Sequence, residues 1–200
     1  QLLRLVNQML DLARLEAGAL EVNMIQDDVT AYLQYLSGSF RSLAESKDIQ
    51  LMIHQEKRPL IMDFDPDKLF YIVSNLLSNA IKYTPEGGKV VFRISTENQN
   101  SLEWLLLEVK DNGIGVGPAE LPYIFDRFYR ASPFGRDNGG TGAGIGLAFT
   151  KELVKLLNGQ VKAKSSPGKG SIFTVRLPIH RNAKVQKAAP FSALPETPTI

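Results

Sequence analysis

The sequence contains no cysteine and only two histidines, His54 and His180. The first absence excludes disulfides, thiol catalysis and cysteine-held zinc or iron–sulfur sites, and it suits a reducing compartment. The second excludes a histidine-rich metal centre. No apolar run approaches the ~18 residues that a membrane-spanning helix needs. An excess of charge of one sign is also missing from the body of the chain. Of 23 basic and 21 acidic residues, three and one fall in residues 181–200, which leaves twenty of each in residues 1–180. A nucleic-acid binder would carry a basic face, so that class of partner is not expected. There is no initial Met and no signal peptide, and an apolar pattern is already running at Gln1. The chain therefore reads as a piece of something longer.

What remains is ordinary globular material, 44% hydrophobic and 22% charged over 200 residues. That is enough for one domain with its own core and a short appendage. Residues 2–17 carry two adjacent apolar stripes, Leu2, Leu5, Met9, Leu12 and Leu3, Val6, Leu10, Ala13, Ala17. Such a double stripe suits a bundle helix, with Gly18 as its stop. A short strand is expected at Val22–Ile25. A helix capped by Asp27 or Asp28 follows to about Ser46, then a strand at Ile49–Ile53. Asp65-Pro66-Asp67 opens a helix to about Tyr83. Lys89–Thr96 and Leu102–Lys110 form an antiparallel hairpin. Gln160–Ser165 and Ser171–Pro178 form another, after a helix that ends at Asn158-Gly159. The order predicts an α+β fold: a two-layer sandwich with a mainly antiparallel sheet and helices on one face. Residues 181–200, with three prolines, read as a linker or tail.

Four segments look chemical. In Asn75–Tyr83, Asn75, Asn79 and Lys82 fall at i, i+4 and i+7, a polar stripe opposite Leu76, Leu77, Ala80 and Ile81. The stripe is either a solvated face or a ledge for metal and phosphate. Asp111-Asn112-Gly113-Ile114-Gly115-Val116-Gly117 follows a strand, as a plain turn loop or as backbone lying close to a base whose amine Asp111 accepts. Ile124–Arg130 holds a cluster of aromatics, read as a hydrophobic plug, and two arginines suited to phosphate oxygens. Gly140-Thr141-Gly142-Ala143-Gly144-Ile145-Gly146-Leu147 opens a helix, either as a linker or as an anion site of backbone amides. Nine of the sixteen glycines lie in residues 111–146. No Gly-Lys-Ser/Thr follows, so this is not a P-loop, and no parallel strand feeds a dinucleotide fingerprint.

In this order the four segments resemble the N, G1, F and G2 boxes of the ATP-binding catalytic domain of sensor histidine kinases, in the Bergerat ATP-binding superfamily. The likeness covers about residues 22–180. Residues 2–18 resemble the end of the second helix of the dimerisation and phosphoacceptor bundle. The resemblance implies three parts: 1–21 from that bundle, 22–180 the catalytic domain, and 181–200 a linker or tail. It implies ATP and Mg²⁺ as ligands, with Asn79 on the metal and Asn75 supporting it. Lys82, Arg130 and, as a further candidate, Arg127 would contact phosphates. Tyr83 would lie by the adenine or ribose. Asp111 would take the adenine amine, with Gly115 close to the base and Gly113 in the same contact set. Thr141, Gly142, Gly144, Gly146 and Leu147 would border the phosphates. Residues 131–143 would form a lid.

The resemblance also implies partners. These are the chain's own phosphoacceptor bundle in a homodimeric parent, and a response-regulator receiver domain, separate or fused. No nucleic acid and no membrane contact are expected of these residues. The domain would be cytoplasmic, its parent anchored in the inner membrane. The acceptor histidine of such kinases lies upstream of the helix at 2–17. His54 follows that helix at the end of a predicted strand, and His180 closes the last one, so both read as structural or surface residues. The chain is thus expected to bind Mg-ATP without phosphorylating itself. Clamp-type ATPases of the same fold are the alternative. They generally carry a Glu at the place of Asn75 to activate water, which an amide cannot do. A degenerate module that no longer binds ATP is the third reading, and intact Asn79, Asp111 and glycines oppose it.

Overall fold

The computed structural model describes residues 10, 13–15, 17–56, 58–99, 102–131 and 144–185. Most of the expected bundle helix lies outside these residues. Its end does not: residues 13–15 are helical, and Gly18 sits at φ 65°. The Gly18 amide donates to the Leu15 carbonyl (3.0 Å) and the Ala19 amide to that of Arg14 (2.8 Å). This is the paired closure by which a left-handed glycine stops a helix.

The strand expected at Val22–Ile25 instead runs Ile25–Asp28 (β1). It pairs antiparallel with a strand that the sequence reading missed, Ile61–Phe64 (β3), in a separate two-stranded sheet. The helix after β1 is Val29–Gly38 (α1). Asp28 caps it, accepting from the Thr30 amide (3.0 Å) and hydroxyl (2.6 Å). The same Oδ1 accepts from the Leu60 amide at 3.1 Å, which ties the cap to the approach to β3. The helix expected to reach Ser46 breaks at Ser39-Phe40. There the Ser39 hydroxyl donates to the Leu36 carbonyl at 2.7 Å, and a short helix Arg41–Glu45 (α2) follows. The apolar period survives the break: Val29, Leu33, Leu36, Phe40 and Ala44 are all buried.

The main sheet has five strands, β2 (Gln50–Gln55), β4 (Lys89–Gln99), β5 (Leu102–Asp111), β6 (Gln160–Ser166) and β7 (Gly170–Pro178), in spatial order β2-β4-β5-β7-β6. Only β2 and β4 are parallel; the other neighbours are antiparallel, as both expected hairpins require. Two longer helices, α3 (Pro66–Tyr83) and α4 (Gly146–Leu156), lie with α1 in the second layer. Alternation assigns the buried face of the sheet to Val90, Phe92, Ile94, Leu105, Leu107, Val109, Phe173 and Val175. From α3, Leu69, Ile72, Val73, Leu76, Leu77 and Ile81 complete this core.

α3 is held at its start by Asp65, a buried N-cap that accepts from the Lys68 amide (3.0 Å) and pairs with the Lys68 ammonium (3.1 Å). Asp65 also accepts from the Asn23 amide at 2.8 Å. Residues 181–185, assigned from sequence to the linker or tail, lie along the small sheet. The Asn182 and Ala183 amides donate to Asp63, and Gln26 bridges to Val185. Burial pushes the Asp63 carboxyl up, but the bonds from Asn182, Gln26 and Ala183 outweigh it and hold the group below the ordinary carboxylate value. The stability those bonds supply is present above the ordinary carboxylate pKa and is lost as pH falls through the lowered one.

Candidate functional site

The C-terminal half of α3 forms one wall. Its polar stripe faces α4: the Asn75 amide donates from Nδ2 to the buried Thr150 hydroxyl at 2.8 Å. One turn on, Asn79 donates from Nδ2 to Asn75 Oδ1 at 3.4 Å. α4 can approach because position 146 is glycine. A Cβ there would stand 2.3 Å from Asn75 Oδ1. Lys82, half-buried, lies with its ammonium 5.4 Å from the centre of the Tyr83 ring, and that ring is exposed.

The second wall is the loop after β5. Asp111 ends the strand with its carboxylate buried, and Oδ1 accepts from the amides of Gly113 (2.9 Å) and Ser171 (3.2 Å). Burial pushes this carboxyl above its ordinary pKa, against the opposing pull of those two amides. The loop then passes over the end of α3, where the Ile114 amide donates to the Tyr83 carbonyl at 3.2 Å. A Cβ on Gly113 would lie 2.3 Å from that same carbonyl oxygen. Gly115, at φ +67°, leaves 2.0 Å between a would-be Cβ and the Ser166 carbonyl oxygen. Packing against the protein's own backbone therefore requires glycine at both positions.

The third wall joins the aromatic segment to the start of α4. Ile124 is buried and Phe125 stands edge-on to Phe173, 6.3 Å between centroids, as a hydrophobic plug should. Phe128 departs from that expectation. It is 60% exposed and holds φ 60°, an uncommon state for an aromatic residue. Its amide donates to the Gly144 carbonyl at 3.0 Å, and Gly144, at φ +69°, leaves no room for a Cβ beside Phe128 and Tyr129. Arg127 and Arg130 flank this contact and are exposed. Ile145 precedes α4 without a side-chain cap bond, so no side chain of the cap residue engages the amides of the first turn. Leu147 is half-buried against the core.

The structure thus brings Asn75, Asn79 and Gly146 together, sets Gly144 against Phe128 and Tyr129, and joins Asp111 and Gly113 to the same helix end through Tyr83. Thr141 and Gly142 lie outside the described residues, as does the expected lid beyond residue 131. His54 is exposed on β2 and His180 follows β7, both apart from these walls. Sequence reasoning missed Thr150, Ser165, Ser171 and Gly170. Thr150 sits four residues after Gly146, one helical turn on the same face, which is the signal that could have found it. Ser165 Oγ accepts from the Val116 amide (2.8 Å) and donates to the Gly170 carbonyl (2.9 Å), so the β6–β7 turn braces the glycine loop. Among the described residues no group of three or more His, Asp and Glu could hold a metal ion. Also among them, no helix is long and apolar enough to cross a membrane.

Residues 64–181 match the family described as histidine kinase-, DNA gyrase B-, and HSP90-like ATPase. The sensor histidine kinase WalK of Bacillus subtilis is 34% identical over 179 residues, 89% of this chain and 28% of its own length. The sensor protein SrrB of Staphylococcus aureus is 32% identical over 175 residues, 88% and 29%. The chain therefore spans under a third of the curated relatives it matches. Among solved structures, full-length ShkA in complex with AMPPNP superposes with TM-score 0.77 at 29% identity, covering 96% of this chain and 39% of that one. The catalytic domain of histidine kinase ThkA superposes with TM-score 0.66 at 17% identity, covering 80% and 100%, a likeness of fold.

Proposed function

The chain belongs to the histidine kinase-, DNA gyrase B-, and HSP90-like ATPase family, and from that premise we propose how this ATP-binding catalytic domain of the sensor histidine kinase kind uses its residues. The base of ATP lies on the glycine loop, with its exocyclic amine on Asp111 and Gly113 and Gly115 beneath it. Tyr83 flanks the adenine or ribose. The phosphates run toward Asn79, Lys82, Arg127, Arg130 and the start of α4, where Thr141, Gly142, Gly144, Gly146 and Leu147 border them. The observation that carries this reading is the Asp111 carboxylate. It is buried, both of its backbone donors fall on Oδ1, and it ends a strand at the start of the glycine loop.

The residues fit Mg²⁺ held jointly with phosphates. Asn79 spends its Nδ2 on Asn75, which leaves its carbonyl oxygen as a neutral, hard ligand. When bound, the ion would neutralise charge developing on the phosphate oxygens. The chain's own part in the reaction is positioning. Lys82 and the arginines hold the transferring group, and the α4 amides face its oxygens. The P–O bond to ADP breaks as a P–N bond forms to an imidazole nitrogen. That imidazole belongs to the phosphoacceptor bundle of a homodimeric, membrane-anchored parent. Residues 1–21 are the end of this bundle, 22–180 the cytoplasmic catalytic domain, and 181–200 a linker or tail. A receiver-domain aspartate, separate or fused, takes the phosphoryl group onward. Asn75 carries an amide bonded through Nδ2 to Thr150, which gives water no proton acceptor. Transfer is therefore favoured over hydrolysis.

The test mixes this chain with γ-labelled ATP and a separate polypeptide carrying the helical bundle with its acceptor histidine. The reading predicts label on the bundle, none on this chain, and steady-state phosphate release near background. An unlabelled bundle with sustained phosphate release would mean a hydrolysing clamp instead.

A further inference from the structure

Thr150 lies in the core, 2% exposed, on the side of α4 that meets α3. A buried hydroxyl in a helix commonly satisfies itself on its own backbone, as Ser37 does on Leu33 (2.7 Å) and Thr84 on Ala80 (2.6 Å). Thr150 instead receives the Asn75 amide from the other helix at 2.8 Å. In this arrangement Asn75 presents Nδ2 to Thr150. With Nδ2 on Thr150, Oδ1 turns to Asn79 and accepts its Nδ2 at 3.4 Å. The donors run in one direction, Asn79 to Asn75 to Thr150, and the second oxygen at the free end of this relay is Asn79 Oδ1. Gly146 closes the arrangement from the side, since its backbone lies against Asn75 Oδ1.

We propose that Thr150 is a positioning residue for the divalent cation: through Asn75 it orients the Asn79 amide so that oxygen, not nitrogen, is offered to the metal. This rests on the nucleotide-binding reading above. Without the Thr150 acceptor the Asn75 amide is free to turn, and Asn79 loses its fixed partner. The site would then still hold the base and the phosphates, but would lose its preference for the metal complex.

The test is calorimetric binding of a non-hydrolysable ATP analogue to the 200-residue chain, with Mg²⁺ and with a chelator. Thr150→Val keeps the shape and removes the acceptor. We expect it to lose about tenfold in affinity with Mg²⁺, the scale of one unsatisfied polar group, and under about twofold in chelator. Thr150→Ser is expected to restore the unmodified behaviour. In an Asn75→Ala background, Thr150→Val should add nothing further, because both changes cut the same relay. Equal losses with and without Mg²⁺, or additive losses in the double variant, would assign Thr150 to packing alone and overturn the proposal. If Thr150→Val melts too low to titrate, Thr150→Ser against Thr150→Ala carries the same comparison. Failure of the unmodified chain to bind the analogue would instead sink the nucleotide reading itself, so the two failures are distinguishable.

Discussion

Asp111→Asn is expected to weaken binding of an adenine nucleotide by about a hundredfold, the scale set by a lost charged hydrogen bond and a new clash of donors. The two backbone amides of Gly113 and Ser171 both donate to Oδ1. In the variant they select the amide oxygen for that place. The new NH₂ group then occupies the position of Oδ2, and presents a donor to the donating amine of adenine. A guanine nucleotide, which carries a carbonyl oxygen there, should lose far less, so the ratio of affinities moves toward guanine. The fold should persist, because the oxygen that satisfies both amides is kept and a buried charge is removed. Calorimetric titration of the unmodified chain and of Asp111→Asn with adenine and guanine nucleotides reads the effect; an unchanged adenine preference would show that Asp111 does not touch the base.

The same carboxylate sets a pH dependence. Burial raises its pKa in the folded chain. A raised acid pKa means that the ionised form destabilises the fold above that value, and that acidification relieves this cost. Binding has the opposite sign, since the amine needs the ionised form. Affinity should therefore be full above the raised pKa and fall as pH drops through it, starting nearer neutrality than for an ordinary aspartate. Asp111→Asn should remove this dependence.

Gly170→Ala should lower stability by roughly 3–5 kcal/mol, combining backbone strain with overpacking against a rigid strand. Gly170 holds φ +82°, and a Cβ there would lie 2.0 Å from the Asp111 carbonyl oxygen and 2.7 Å from Asn112 Cα. Gly168, two residues earlier in the same turn, holds φ +71° with nothing within 4 Å of a Cβ. Gly168→Ala therefore carries only the left-handed backbone cost, about 1–2 kcal/mol. Denaturant melts of the two variants separate close packing from backbone conformation. Equal losses would mean that the contact of the turn with the Asp111 loop contributes nothing. The Gly170 variant should also lose nucleotide affinity, since the turn braces the loop that ends in Gly117.

The resemblance that placed the N, G1, F and G2 boxes could be read from the chain because each box carries its own local physics. Asp65-Pro66 announces the start of α3, and the i, i+4, i+7 stripe of Asn75, Asn79 and Lys82 follows from one helical period. Both hairpins alternate clearly enough to be read as antiparallel pairs. What could not be read depends on distant partners. Ile61–Phe64 is four residues long and becomes a strand only against Ile25–Asp28. The break at Ser39-Phe40 leaves the apolar period intact, so periodicity could not reveal it. From sequence, Ser171 reads as the first residue of a strand and Thr150 as a helix residue. Their contacts with Asp111 and Asn75 join positions 60 and 75 residues apart. The aromatic pattern groups Phe128 with Phe125 in a buried plug, yet Phe125 packs on Phe173 while Phe128, its amide bonded to the Gly144 carbonyl, is exposed.

The central claim is that Asn79 and Asp111 serve one nucleotide whose metal is part of the bound species. Calorimetric titration of the chain with a non-hydrolysable ATP analogue, with and without Mg²⁺, tests it most directly, with Asn79→Ala alongside. The account predicts binding that tightens with Mg²⁺ in the unmodified chain and loses that gain in Asn79→Ala. Well-folded protein that binds no analogue in either condition, or a magnesium gain that survives Asn79→Ala, would contradict it.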